Sequence, residues 1–470
     1  MDSNSAQICA IITGPTFTDA FIQLSEALPN ADLVELRLDF FTERALPLIE
    51  HFLEECPLPV LITLRKSAQG GGYEGDEDQR REEIKQILRL SPSYFDIEDD
   101  CNPSFFIEQF PAVSFVVSHH SFSSPHPPIE NLYDSLRGGT YRKIAIPVAT
   151  STAALQTLNY AREKGDLILI GMGEHGSFTR ILAPIANIPW CYASILKQTA
   201  PGQLSVDTLV NTYHYPKLST STHIYGLIGD PVDKSISEET HNTLFRELGL
   251  NAIYVKMTVT PEELPTFLPE AHKLGFKGLS VTTPLKEIVI PQLTVIDTYA
   301  EQIRGVNTLA ANENGYSGSN TDGAGALNAI ERHTSVKGKT LLILGVGPSG
   351  RAIAQEAKSR GATVAIVNRK GCTEKLPVHD ILVNATPALS PISEEQFLPG
   401  TIAMDCNIKP YSSPFLEMAK TKHCTRIHGE EMFIEQALLQ FETWGIGKAE
   451  ELHPLLSKIA MRRRLTETKA

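Results

Sequence analysis

Residues 1 to about 210 repeat one theme, a short apolar run followed by an amphipathic stretch. Strand-like runs fall at 8–12, 33–38, 58–64, 94–98, 113–118, 142–147, 167–171 and 190–193. Helical patterns such as 18–28, 46–55, 79–90 and 151–164 lie between them. Parallel strands need a crossover between neighbours, and eight strand–helix pairs predict a (β/α)8 barrel. An open doubly wound sheet is the alternative.

At 470 residues the chain exceeds one ordinary core, and two to three domains are expected. The barrel is placed at 1–210. The stretch 211–223, rich in Ser and Thr and poor in large aliphatics, reads as a linker. An α/β pattern starts at 224 and runs to 322, and a dinucleotide-type unit spans 323–429. The segment 430–470 is helical by pattern, with Met432, Ala437, Leu438 and Phe441 at core spacing, and completes the 224–322 domain. The basic end MRRRLTETKA reads as a solvated helix terminus.

The net charge of −13 argues against nucleic acid as a partner, since phosphate backbones attract clustered Lys and Arg. No apolar run reaches the roughly 18 residues of a membrane helix, and MDSNSAQ has no secretory pattern. Seven scattered cysteines without a C-x-x-C predict free thiols in a reducing cytoplasm. The histidines show no zinc-like spacing, so no metal is expected.

In the sixth barrel strand, Tyr141, Lys143 and Ala145 share one face, and Arg142, Ile144 and Ile146 the other. Faces that pack on helices want aliphatics, so Lys143 is expected to point inward, where a lysine without a role is costly. A core salt bridge is the plain alternative. Glu35, Arg37 and Asp39 share an inward face, Arg65 ends the third strand, Asp96 and Glu98 lie on the fourth, and the fifth ends in Ser118-His119-His120. Charged groups thus collect at the C-terminal strand ends, where barrel active sites lie.

These residue types suit imine chemistry. At a reference pKa of about 10.4, only about one lysine in a few thousand is neutral at pH 7. Desolvation and cations such as Arg37 and Arg65 are expected to favour the neutral amine. A protonated imine acidifies the adjacent C–H, and a histidine can take that proton and return one to a leaving hydroxyl. Arg180 is a candidate clamp for a substrate carboxylate.

Across residues 5–210 the pieces ELRLD, TLR, FDIE, SHHSF, RKIAIP, the Gly-Met-Gly…Arg loop and APGQ resemble type I 3-dehydroquinate dehydratases. The resemblance implies that Lys143 forms a Schiff base and that His120 is the acid/base. It prefers His120 over His119 because the family histidine stands two residues before Phe122. Glu35, Arg37, Arg65, Arg180 and Gln203 are then substrate-binding. One departure is Thr199, where a serine is usual.

In the second half the run LLIL (341–344) leads into Gly345-Val-Gly347-Pro348-Ser349-Gly350 and a helix. Between strand and helix this glycine pattern predicts a pyrophosphate cradle at a helix N-terminus. The next strand closes on Asn368-Arg369-Lys370, whose cations suit a 2′-phosphate, so NADP is expected over NAD. Upstream, the hydroxyls and amides of Ser235, Ser237, Thr282 and Asn307 suit a polyol acid. Lys286 is expected to hydrogen-bond the reacting oxygen, oriented by Asp322; a surface salt bridge is the alternative.

From about 223 to 470 the segments GLIGDPVDKSISEETHN, GLSVTTPLK, GVNTL, GSNTDGAG, NRK, VNATPA and GEEMFIEQALLQF resemble shikimate dehydrogenase. By that likeness Ser235, Ser237, Thr282, Lys286, Asn307, Asp322 and Gln436 form the shikimate site, and the glycine loop with Asn368 and Arg369 binds NADP. Ser280 stands where many relatives carry asparagine, and Ile408 where a tyrosine is frequent. The two resemblances imply consecutive steps of shikimate and aromatic amino acid biosynthesis: a lyase making 3-dehydroshikimate from 3-dehydroquinate, and an NADP-dependent oxidoreductase making shikimate. A quinate dehydrogenase in the second half, or a metabolite sensor without turnover, are the competing readings.

Overall fold

A computed structural model describes the chain apart from residues 1–5, 124, 196–201, 369, 371, 373–374 and 468–470. The chain divides into two compact units, 1–223 with 249–257, and 224–248 with 258–470.

In the first unit eight strands form one parallel sheet: β1 (Ile8–Ile12), β2 (Leu33–Arg37), β3 (Val60–Thr63), β4 (Tyr94–Glu98), β5 (Ser114–His120), β6 (Tyr141–Pro147), β7 (Leu167–Met172) and β8 (Cys191–Ser194). Their order, β7-β6-β5-β4-β3-β2-β1-β8, is that of a nearly closed barrel with its seam between β7 and β8. The expected open sheet alternative falls away, because β1 sits between β2 and β8. The fifth strand runs two residues past its expected end, to His120, because both histidines continue the ladder, His119 opposite Ile144 and His120 opposite Ala145.

The segment 211–223 is not a solvated spacer. It holds a short turn at Tyr215–Lys217, Tyr213, Tyr215 and Leu218 are buried, and Leu218 O accepts from Ala6 N at 3.3 Å. Its few large residues are the ones that pack, which a composition average hides.

The second sheet comprises β9 (His223–Gly229), β10 (Ala252–Thr258), β11 (Phe276–Val281), β12 (Val295–Ile296), β13 (Thr308–Asn312) and β14 (Gly315–Ser319), in the order β10-β9-β11-β13-β14-β12. β9 and β11 run parallel, and β13 returns antiparallel. The third comprises β15 (Thr340–Leu344), β16 (Thr363–Val367), β17 (Ile381–Asn384), β18 (Ile402–Asp405) and β19 (Thr425–Ile427), all parallel, ordered β16-β15-β17-β18-β19. This is a Rossmann-like sheet with both faces covered: Leu341 and Ile343 enter one core cluster, Leu342 and Leu344 the other. Continuous apolar strands are what two covered faces demand.

The basic C-terminal helix, Ala449–Glu467, has a solvated end as expected, with Met461, Arg462 and Leu465 exposed. Arg462, Arg463 and Arg464 pair with Glu247, Glu239 and Glu430 at 3.0, 2.7 and 2.8 Å. Among the described residues no helix is long and apolar enough to cross a membrane.

Candidate active sites

Alternation along β2, β4 and β6 turns Glu35, Arg37, Asp96, Glu98 and Lys143 into the barrel, where all are buried. Lys143 Nζ donates to Asp96 Oδ2 at 3.0 Å, lies 3.8 Å from Glu35 Oε1, and sits 4.0 Å over the Tyr192 ring centroid. Its nearest charged partners are therefore acids, where the sequence led us to expect cations. Asp96 is a hub that sequence reasoning placed at the mouth without giving it a role. It also accepts from Arg65 Nη2 at 2.6 Å and from Ser118 Oγ at 2.6 Å. Burial alone would raise its pKa; Arg65 and Lys143 outweigh that and hold the carboxyl well below the usual range. Glu35 accepts from Thr63 Oγ1 at 2.7 Å.

Arg37 is held by Asp39 through two hydrogen bonds of 2.9 and 2.7 Å, with Phe40 beneath its guanidinium. Glu98 serves the scaffold: it accepts from Arg80 Nη1 at 2.8 Å and Lys66 N at 3.1 Å. Arg180 is buried on the short helix Ser177–Ile181 and donates to Gly171 O at 2.9 Å at the end of β7. Gln203 is buried beside Leu204, whose carbonyl accepts from Ser194 N at 3.0 Å where β8 ends. Thr199 lies outside the described residues.

The two histidines are in different environments. His119 Nδ1 lies 2.8 Å from Asp99 Oδ2, a hydrogen bond that raises its pKa. His120 is pushed well below the usual histidine range by burial, then by the Arg65 and Lys143 cations. Its Nδ1 is buried without a hydrogen-bond partner, as is Arg65 Nε.

In the second unit Lys286 Nζ donates to Asp322 Oδ2 at 2.6 Å. The other carboxylate oxygen accepts from Asn307 Nδ2 at 2.7 Å. Burial works against ionisation of Asp322, but Lys286 and the surrounding donors outweigh it and depress its pKa. Ser235 and Ser237 hydroxyls lie 2.8 Å apart after β9, and Thr282 follows β11, the parallel neighbour of β9. Gln436 lies on the helix Gly429–Thr443, packed closely on Gly325 of the helix Asp322–Glu331. Ser280 donates to Gln440 Oε1 at 2.9 Å on that C-terminal helix, and Gln440 Nε2 donates to Asn307 O at 3.2 Å. Ile408 is half-buried, and no role for it emerges.

The strand order reverses at β15, which lies between β16 and β17; such switch points hold nucleotides. A cleft of about 690 Å3 opens there, lined by Gly345, Val346, Gly347, Asn368, Ala385 and Thr386 among others. The residues fit a dinucleotide. A Cβ on Gly350 would come within 2.2 Å of Gly345 O, so only glycine permits this turn, and Gly347 faces open space. Gly347 caps the helix Pro348–Ser359 without any side-chain hydrogen bond, leaving its first N–H groups for a phosphate. Asn368 and Lys370 are exposed at the end of β16, and Arg369 lies outside the described residues. Among the described residues no group of three His, Cys, Asp or Glu could hold a metal.

A barrel with a lysine among acids and a histidine at its mouth, joined in one chain to a Rossmann-like unit with a lysine–aspartate pair beside its glycine loop, defines a two-enzyme polypeptide, lyase and oxidoreductase. Residues 8–220 match the type I 3-dehydroquinase family, and residues 227–309 the shikimate dehydrogenase substrate binding domain. The shikimate biosynthesis protein AroDE of Chlamydia pneumoniae is 34% identical over 93% of this chain and 95% of its own length. The chloroplastic bifunctional 3-dehydroquinate dehydratase/shikimate dehydrogenase of Arabidopsis thaliana is 29% identical over 96% of this chain and 84% of its own. The NADP(+) shikimate dehydrogenase of Pyrococcus abyssi is 36% identical over 47% of this chain and 91% of its own. The chain belongs to the family of bifunctional dehydroquinate dehydratase/shikimate dehydrogenases.

Proposed function

We infer that the chain converts 3-dehydroquinate to 3-dehydroshikimate in the barrel and reduces that product to shikimate, with NADP as cofactor, in the second unit. The observation that carries the reading is a lysine in each unit, each hydrogen-bonded to a buried carboxylate, with His120 beside the first and a glycine cradle beside the second.

In the barrel, Lys143 adds to the substrate ketone and loses water to form an imine. His120, kept neutral by burial and its cationic neighbours, takes the adjacent C–H proton. It then protonates the leaving hydroxyl, which departs as water, and hydrolysis of the imine restores Lys143. Glu35, Arg37, Arg65, Arg180 and Gln203 bind the substrate. The partnerless Arg65 Nε and His120 Nδ1 support this, since buried polar atoms seldom lack partners.

In the second unit Ser235, Ser237, Thr282, Asn307 and Gln436 hold the keto acid. Lys286 donates a hydrogen bond to its carbonyl oxygen and delivers the proton that oxygen gains, while Asp322 orients the ammonium. When bound, NADPH would supply the hydride that the carbonyl carbon gains. The backbone of the loop Gly345, Gly347, Pro348, Ser349 and Gly350 would hold its pyrophosphate, and the side chains of Asn368, Arg369 and Lys370 its 2′-phosphate.

We assign dehydration to 1–210 with the packed segment 211–223, substrate binding for reduction to 224–322 with 430–470, and NADP binding to 323–429. The net charge of −13 and seven free cysteines support an enzyme of small molecules in a reducing cytoplasm, away from nucleic acid and membrane.

A one-pot assay of the full chain with 3-dehydroquinate and NADPH tests the reading. Steady NADPH consumption is expected, abolished by Lys143→Ala and restored when 3-dehydroshikimate is added. Lys286→Ala should stop reduction and leave dehydration intact. A single variant that removed both activities from folded protein would refute the assignment.

A further inference from the structure

The glycine loop reaches beyond the nucleotide. Ser349, its fifth residue, hydrogen-bonds to Lys286 Nζ at 3.1 Å and donates to Asp322 Oδ2 at 2.9 Å. With the Lys286–Asp322 bond of 2.6 Å this closes a triangle on one carboxylate oxygen. Asn307 occupies the other oxygen, so Asp322 is fixed from both sides.

The triangle depends on how closely two helices approach. Asp322 is the first residue of the helix Asp322–Glu331, and Ser349 lies in the first turn of the helix Pro348–Ser359. Their contact passes through Gly323, where a Cβ would fall 2.1 Å from Tyr299 Oη and 2.5 Å from Ala352 O. Tyr299 in turn donates to Ala352 O at 2.7 Å, closing the contact. Two helix N-termini, each carrying partial positive charge, therefore meet at one carboxylate.

We propose that Ser349 is a positioning residue for the reduction: its hydroxyl, carried on the nucleotide loop, holds Lys286 and Asp322 in register for proton delivery. This rests on the reading of those two residues as the proton-delivering pair. Three roles for the hydroxyl were open: a helix cap, a pyrophosphate ligand, and this one. The cap position belongs to Gly347; Ser349 is the second residue inside the helix, and its hydroxyl bonds run to Lys286 and Asp322. The phosphate role is disfavoured because the hydroxyl already spans an ammonium and a carboxylate, and a carboxylate is the wrong neighbour for a phosphate.

The hydroxyl also contributes to keeping Asp322 ionised, since its hydrogen bond is among the effects lowering that carboxyl. Losing it must move the carboxyl upward. For Ser349→Ala we expect kcat for 3-dehydroshikimate reduction to fall on the order of tenfold, the effect of one hydrogen bond to a charged group. The acid limb of its kcat/KM profile should shift to higher pH. NADP+ affinity, titrated by calorimetry on the full chain, should stay within about twofold, and Ser349→Thr should recover rate and profile together.

An unmoved acid limb overturns the proposal, as does a loss confined to NADP+ affinity, which would assign the hydroxyl to the cofactor. Asp322→Asn separates the two levels of inference. If that variant still reduces substrate, the underlying pair is misassigned. If it is inactive while Ser349→Ala behaves as wild type, only the role of Ser349 fails.

Discussion

Removing the charge of Asp96 while keeping its shape, as in Asp96→Asn, isolates the electrostatic role of the barrel hub. The side chain is buried, and one oxygen faces Arg65 at 2.6 Å and Lys143 at 3.0 Å. The amide can still accept from one of them, but two buried cations then lose the carboxylate that bonds both and keep the more distant Glu35, 3.8 Å from Lys143. Breaking a buried pair from one side costs about 3–5 kcal/mol, a large share of the roughly 5–15 kcal/mol that holds a domain folded. At about 2–4 °C per kcal/mol for a domain of this size, the barrel's Tm should fall by about 6–20 °C.

The same carboxyl fixes the pH dependence. Its folded pKa is depressed, so its stabilisation is fully present above the unfolded carboxylate value near ~3.9 and is lost as pH falls below that value toward the folded one. The gap between wild type and Asp96→Asn should therefore be constant from pH 6 to 8 and narrow below about pH 4. Calorimetric unfolding of the full chain across that range reads both effects. A Tm change under about 2 °C at pH 7, or a gap that widens in acid, would mean that the hub's charges are compensated elsewhere.

The kcat/KM of dehydration should hold steady as pH drops from 7.5 to 6 if, as we propose, the acid limb reports His120, which is held below the histidine range. His119→Asn should leave that limb in place, and a limb that moved with His119 would exchange the two assignments. Gly323→Ala places a methyl 2.5 Å from Ala352 O, and overpacking of this kind costs about 1–3 kcal/mol; reduction should fall further than dehydration. Lys370→Glu should raise the KM for NADPH about tenfold or more while changing that for NADH little, since only the former carries the 2′-phosphate. Equal effects on both cofactors would remove Lys370 from that site.

Much of this was legible because charge in a buried strand is conspicuous. The alternation in β2 and β6 placed Glu35, Arg37 and Lys143 inward without any structure. The glycine pattern announced its own context by lying between a strand and a helix. What stayed hidden was partnership between distant segments. Nothing local shows that Asp96 serves Arg65, Lys143 and Ser118 at once, or that Ser280 bonds a glutamine 160 positions away. Nor does a Ser/Thr-rich composition reveal that Tyr213, Tyr215 and Leu218 pack their segment down. Sequence periodicity reports which face a residue takes, and tertiary pairing decides what it meets there.

The two lysines show how one ion pair is put to two uses. Lys286 lies in a network whose members are all satisfied: Asp322 accepts from the ammonium, Ser349 and Asn307. Such a network keeps an ammonium oriented as a donor, and reduction asks no more of it than a hydrogen bond and a proton. In the dehydration proposed above, Lys143 must instead give up its proton and attack carbon. Its carboxylate partner is shared with Arg65 and Ser118, and the neighbouring His120 keeps Nδ1 unpaired. The barrel thus holds an unpaired histidine nitrogen and an incompletely bonded guanidinium beside its lysine, where Lys286 donates to two fixed acceptors, Asp322 and Ser349. The surroundings of the Lys–Asp pair, more than the pair itself, separate a nucleophile from an acid.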